Sequence, residues 1–157
     1  MFFLLSAGLG LPSASSTASA ATNSTPSEKS TGSASSALTS EAWQALERKD
    51  YATARARVES CRKQYEAEAI KMQASLTALP GPEKAHSYWA LNDVGTCLFI
   101  LGKVEEAQGK PKKAITTYQD LVKRFPLAQC WDKQGWFWQP SVAAKERLAA
   151  LTLDSAK

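Results

Sequence analysis

A single histidine and three cysteines in 157 residues leave little from which to build a metal centre. Cys61, Cys97 and Cys130 fit no zinc-ligand spacing, and His86 has no cysteine close to it in the chain. No Ser–His–Asp set can be argued around that one histidine, and no glycine-rich phosphate loop is present. The sequence also lacks an apolar run long enough to cross a bilayer, since "FFLLSAGLGL" at 2–11 stops short of the ~20 residues a spanning helix needs. Basic residues exceed acidic ones for a net charge of +4, but no basic cluster forms. In "RKQYEAEAIK" and "EEAQGKPKKA" the two signs are interleaved, as on a solvated helix surface, which argues against a nucleic-acid partner. No cofactor, metal or membrane span is expected.

The first forty residues hold neither tryptophan nor tyrosine and are mostly Ser, Ala, Thr and Gly. Such a segment buries too little apolar surface to offset its ordering entropy. Its order is informative: the short apolar run comes first, then "ASA" at Ala18–Ala20, an A-x-A cleavage pattern, then a Ser/Thr-rich tether. Residues 1–20 therefore read as a signal peptide that has no Lys or Arg ahead of Phe2. Residues 21–38 read as a linker, and the protein as exported, periplasmic or secreted. A helical domain is expected over 39–153.

From Thr39 onward a helical period dominates. Thr39 or Ser40 is a suitable N-cap, with acid in the first turn behind it. Ala54, Val58, Cys61, Tyr65, Ala69, Met72, Leu76 and Leu79 step by three and four along one face, until "PGP" at 80–82 stops the helix. A further helix follows with Leu91, Val94, Leu98 and Leu101 as its stripe, closed by Gly109. Another runs from Pro111 to just before Pro126, burying Ala114, Ile115, Tyr118, Leu121 and Val122. A non-helical stretch precedes the last short helix, "SVAAKERLAAL". No β-alternation of useful length occurs, so the fold class is all-α, built of antiparallel helix hairpins.

Residues 98–126 carry a pattern of small and large positions. Leu98, Leu101 and Gly102 are followed by Gly109, Pro111, Ala114, Tyr118, Leu121 and Pro126. This resembles a tetratricopeptide repeat, whose two helices approach closely at small residues and are plugged by a large one. Leu121 departs from the alanine usual at its place. A weaker copy runs through Ala42, Tyr51, Ala54, Val58 and Cys61. The copies lie about 60 residues apart, against about 34 in the family, so the central helices are elongated. Two repeats fall below the three or so that bury a continuous core, which leaves the aromatic segment and the last helix to complete it. The chain also resembles small exported bacterial repeat proteins, some with glucanase-like names. Its acids do not support that activity: Glu105, Glu106 and Glu146 stand at charge-pair spacing, and Asp93 and Asp132 suit hydrogen bonding better than catalysis.

The resemblance implies a groove lined by the first helix of each repeat. Carried over by position, it comprises Trp43 and Glu47, then Thr96, Phe99, Lys103 and Glu106, and would take a peptide or a partner helix. The expected function is non-enzymatic interaction or assembly, with self-association through the unfinished ends a further option. The alternative lies in "AQCWDKQGWFWQP", where three of the five tryptophans cluster. Trp131, Trp136, Phe137 and Trp138 are either a lid on the last hairpin or an exposed face that stacks on a partner or a cell-envelope glycan. In an extended segment Trp136 and Trp138 would point the same way, both buried or both shown. For the cysteines two states stay open: a Cys97–Cys130 disulfide pinning that segment, or three unlinked thiols.

Overall fold

The computed structural model describes residues 28–131 and 135–154. The apolar start, the A-x-A pattern, the first part of the expected linker and residues 132–134, Asp132 among them, lie outside them. Among the described residues the order is α1 (Glu28–Glu47), α2 (Tyr51–Ala74), a short α3 (Pro82–Ala85) continued by a 3-10 turn at His86–Tyr88, α4 (Trp89–Ala107), α5 (Pro111–Arg124), β1 (Cys130–Trp131), β2 (Phe137–Trp138) and α6 (Pro140–Asp154). The fold is all-α apart from a minimal antiparallel ribbon that sets Cys130 against Trp138 and Trp131 against Phe137.

Helix α4 is mostly apolar and buried on most of its sides, and a helix of that kind must be surrounded. It packs on α1, α2, α5 and α6, and its residues from Ala90 to Val104 supply much of the core. Helices α1 and α2 form one hairpin, α4 and α5 a second, and α6 lies against both helices of the second as the first helix of a third hairpin would. The small residues fall where the helices meet. Ala42, Ala45, Ala54, Val58 and Cys61 are fully buried in the first hairpin, and Ala114 and Tyr118 in the second.

The two hairpins close with the same turn. Lys49 N–H donates to the Leu46 carbonyl at 2.9 Å and Asp50 N–H to that of Ala45 at 2.8 Å. Gly109 N–H donates to Glu106 at 2.9 Å and Lys110 N–H to Glu105 at 2.9 Å, which repeats the pattern one repeat later. Both turns need a left-handed residue, Gly109 at φ 67° and Lys49 at φ 61°. Glycine adopts that conformation without penalty, whereas a side chain is strained there. Lys49→Gly is therefore expected to stabilise the protein by ~0.5–1 kcal/mol, read as a higher urea midpoint at unchanged m-value.

Two helix boundaries differ from the sequence reading. Thr39 is not an N-cap: α1 begins at Glu28, and Thr39 sits inside it, its hydroxyl donating to the Ser35 carbonyl at 3.0 Å. Ser35, expected in the linker, is fully buried and donates to the Asp93 carboxylate on α4. A small-residue helix lies close to its neighbour, so alanine and serine fill that interface where larger apolar residues were looked for. At the other end, α2 stops at Ala74 rather than at the proline pair. Ser75 Oγ donates back to the Met72 carbonyl at 2.7 Å, and Leu79, counted in the stripe, is off the helix and exposed.

Candidate functional site

The face formed by α1 and α4 gathers most of the groove residues. Trp43 and Glu47 lie one turn apart on α1, and Thr96, Phe99, Lys103 and Glu106 follow at helical spacing on α4. Trp43 and Phe99 meet with ring centroids 6.2 Å apart. Phe99 also touches Tyr118 at 5.8 Å and Trp138 at 5.3 Å, the latter edge to face. The result is a continuous aromatic row, Trp43–Phe99–Trp138, with half-buried ends and a covered centre.

Thr96 does not line a groove. It is 1% exposed, and its hydroxyl donates to the Asn92 carbonyl at 2.7 Å, the usual return of a threonine on its own helix. Phe99 is also buried, because the ribbon folds back and lays Trp138 on it. Glu106 is held from two sides. The Tyr118 hydroxyl donates to its Oε1 at 2.6 Å, and Arg147 on α6 donates from Nε to Oε1 at 3.0 Å and from its terminal nitrogen to Oε2. Burial alone would raise the Glu106 pKa, but the hydrogen bonds from Arg147 and Tyr118 outweigh it and hold the carboxyl below its usual range. Burial, and then the Glu106 carboxylate, push the Tyr118 phenol up. Tyr118 thus stays protonated and donating while Glu106 stays ionised. Lys103 is half-buried and Glu47 exposed, so the side chains left open to a partner are Trp43, Glu47, Lys103 and the outer side of Trp138.

Arg147 belongs to this face and was missed from sequence. Its signal was positional: a helix following a complete hairpin takes the place of the next first helix, so an arginine on its inner side reaches α4.

The aromatic segment divides rather than acting as a unit. Trp131 is 53% and Trp136 52% exposed, while Phe137 and Trp138 are half-buried. The expected common orientation of Trp136 and Trp138 fails because Trp136 precedes β2 instead of belonging to it. Alternation within the ribbon then sends neighbours to opposite sides. Trp138 faces Phe99, and Phe137 faces His86 at 5.3 Å and Trp131 at 4.9 Å.

Cys61, Cys97 and Cys130 are all free in this structure. Cys130 sits on β1, whereas Cys97 points the other way, its sulfur 3.5 Å from the Thr39 hydroxyl on α1. The acids are likewise in structural use. Glu105 is 5% exposed, accepts from Thr117 Oγ1 at 2.7 Å and pairs with Arg55 at 3.6 Å, so it is not the surface residue its spacing suggested. Asp93 accepts from Ser35, in line with a hydrogen-bonding role. Among the described residues no three His, Cys, Asp or Glu side chains could hold a metal, and no helix is long and apolar enough to cross a membrane.

The geometry of the second hairpin decides the family. At Gly102 a Cβ would lie 2.2 Å from the Tyr118 ring, so the helices touch at a glycine facing a large plug. Residues 96–128 match the family model of the tetratricopeptide repeat. The chain is a TPR-like protein. No curated protein and no solved structure matches it. The match covers the second hairpin, and the repeated turn extends the same architecture to the first. In this TPR-like chain Gly95 makes room for Ala128, whose Cβ would stand 2.5 Å from a Cβ at that position, while Leu121 Cδ1 at 3.8 Å would be in ordinary contact. Repeats of this family commonly mediate protein–protein interaction and are generally non-catalytic scaffolds.

Proposed function

We propose that the protein is a non-enzymatic interaction module that binds a peptide or partner helix on the face of α1 and α4. The observation that carries this reading is the Trp43–Phe99–Trp138 row, with its buried centre and half-buried ends, flanked by Glu47 and Lys103. Buried rings fix the positions of the outer two, so a partner would meet preorganised apolar anchors between charges of opposite sign. The apolar start and A-x-A sequence support an exported protein, acting in the periplasm or outside the cell.

The test is selection of peptides from a displayed random library, followed by calorimetric titration of the winners. Trp43→Ala and Lys103→Glu should each weaken binding at least ~10-fold, about 1.4 kcal/mol, with the variants' thermal melts checked alongside. Trp136→Ala should leave affinity within twofold. Selected peptides that bind equally well to Trp43→Ala would defeat the proposal.

A second reading rests on the exposed indoles of Trp131 and Trp136, which suit stacking on a sugar ring. Soluble cell-wall oligosaccharides should then shift the tryptophan emission of the wild type and leave the Trp131→Ala, Trp136→Ala double variant unchanged.

A further inference from the structure

The first helices of the hairpins stack in a row, each covered by the next: α4 lies on α1, and α6 lies on α4. The last of them, α6, turns Ala144 inward, fully buried, with Arg147, Leu148 and Leu151 half-buried around it. Its opposite side is where a surface helix carries its charges. There Val142 is 45% and Leu153 69% exposed. Val142, Glu146, Ala149 and Leu153 step by four, three and four, which makes one stripe down the helix, and Lys145 stands beside Glu146. All five side chains are exposed. The stripe thus has an apolar residue at each end, a small residue near its middle and one charge of each sign.

We propose that two copies of the chain pair through this stripe, α6 against α6 and antiparallel, as a two-fold symmetric dimer. A two-fold contact sets a surface against itself, so that surface has to be self-complementary. A stripe with charges of one sign would repel its copy, whereas this one offers a lysine and a glutamate side by side. Antiparallel alignment about the middle of the helix sets Val142 against the partner's Leu153 at both ends of the contact. Between them Ala149 lets the helix axes approach, next to the partner's Glu146. Lys145 of each copy comes within about one helical turn of the partner's Glu146, a distance its flexible stem can span. Parallel pairing would instead set Glu146 against the partner's Glu146, which like-charge repulsion disfavours. One helix pair covers less than the ~800 Å² per partner of a standard interface, so the dimer is weak, with a dissociation constant on the order of 10–100 µM. This inference does not depend on what the α1–α4 face binds.

The experiment is sedimentation equilibrium of the full chain from low to several hundred micromolar, where a monomer–dimer equilibrium is expected. Leu153→Ser should raise the dissociation constant at least ~10-fold and leave the thermal melt of the dilute protein unchanged, because the side chain is exposed in the monomer. Lys145→Glu should weaken the dimer as well, and the swap Lys145→Glu with Glu146→Lys should return it to within about twofold of the wild type. Orientation is read by cross-linking. In a Cys130→Ser background, Val142→Cys and Leu153→Cys are oxidised separately and as a mixture. The mixture should give an intermolecular disulfide between the two positions and either variant alone should not, since like positions lie about three helical turns apart in the antiparallel pair. A chain that stays monomeric, a dimer indifferent to Leu153→Ser, a charge swap that restores nothing, or cross-links between like positions overturns the proposal.

Discussion

Gly102→Ala is expected to lower the unfolding free energy by about 2 kcal/mol, even though alanine is the better helix former by ~1 kcal/mol. The reason is contact. The added methyl would stand 2.2 Å from Cε1 and 2.5 Å from Cζ of Tyr118. That ring has no exposed side to retreat to: it is fully buried, its hydroxyl is tied to Glu106, and Phe99 lies against it. Relief has to come from spreading α4 and α5, which unpacks Ala114 and Leu121 as well. Overpacking of this kind costs ~3 kcal/mol at the upper end of the usual range, against the ~1 kcal/mol gained in propensity. In midpoint temperature the net loss is on the order of 8 °C. The interaction is testable as a cycle. In a Tyr118→Leu background the ring is gone, and Gly102→Ala should become neutral or stabilising. If urea unfolding shows the same cost in both backgrounds, the glycine is there for some reason other than the plug.

The second large effect is a pH dependence centred on Asp93. Burial pushes its carboxyl up to about 6, and the hydrogen bond from Ser35 only partly opposes this. The folded pKa lies above the unfolded value of 3.8, so the folded state binds the proton more tightly. Its contribution to stability is complete below pH ~4 and is lost as pH rises through ~6. Above that range the protein carries a buried carboxylate near the thiols of the hairpin interface. Asp93→Asn keeps an acceptor for Ser35 and mimics the protonated acid. The variant should match the wild type near pH 4 and exceed it by ~2–3 kcal/mol at pH 7, in urea titrations run at unit steps. A stability difference that does not change between pH 4 and 8 would place the titration elsewhere.

The second hairpin was legible in the sequence because its signals are local. Gly102, Ala114, Tyr118 and Pro126 stand at spacings that a single helix pair fixes, and Gly109 marks the turn by its own chemistry. The first hairpin was legible through the same spacings, but its left-handed turn residue is a lysine, which announces nothing. What was not legible depends on which neighbour a residue faces. On α4 nearly every position is buried, so periodicity gives no direction to Cys97. Thr96 and Phe99 were assigned to an open groove by repeat position, but the ribbon that covers Phe99 and the arginine that engages Glu106 come from after the repeat ends. The start of α1 was misplaced because Ser35 and Thr39 serve the core through hydrogen bonds and close approach, while apolar bulk was the feature sought.

The shared turn at residues 48–50 and 108–110 also bears on kinetics. Each hairpin closes between neighbours in the chain, so the loop entropy to be overcome is small and both can form early. Docking one on the other must bring Ser35 and Thr39 to Asp93 and Cys97, contacts of much longer range, and these belong to a late step. Substitutions at the glycine–tyrosine contact should then act mainly on the rate of assembly. Substitutions in the polar interface should act mainly on how long the assembled stack survives before it opens.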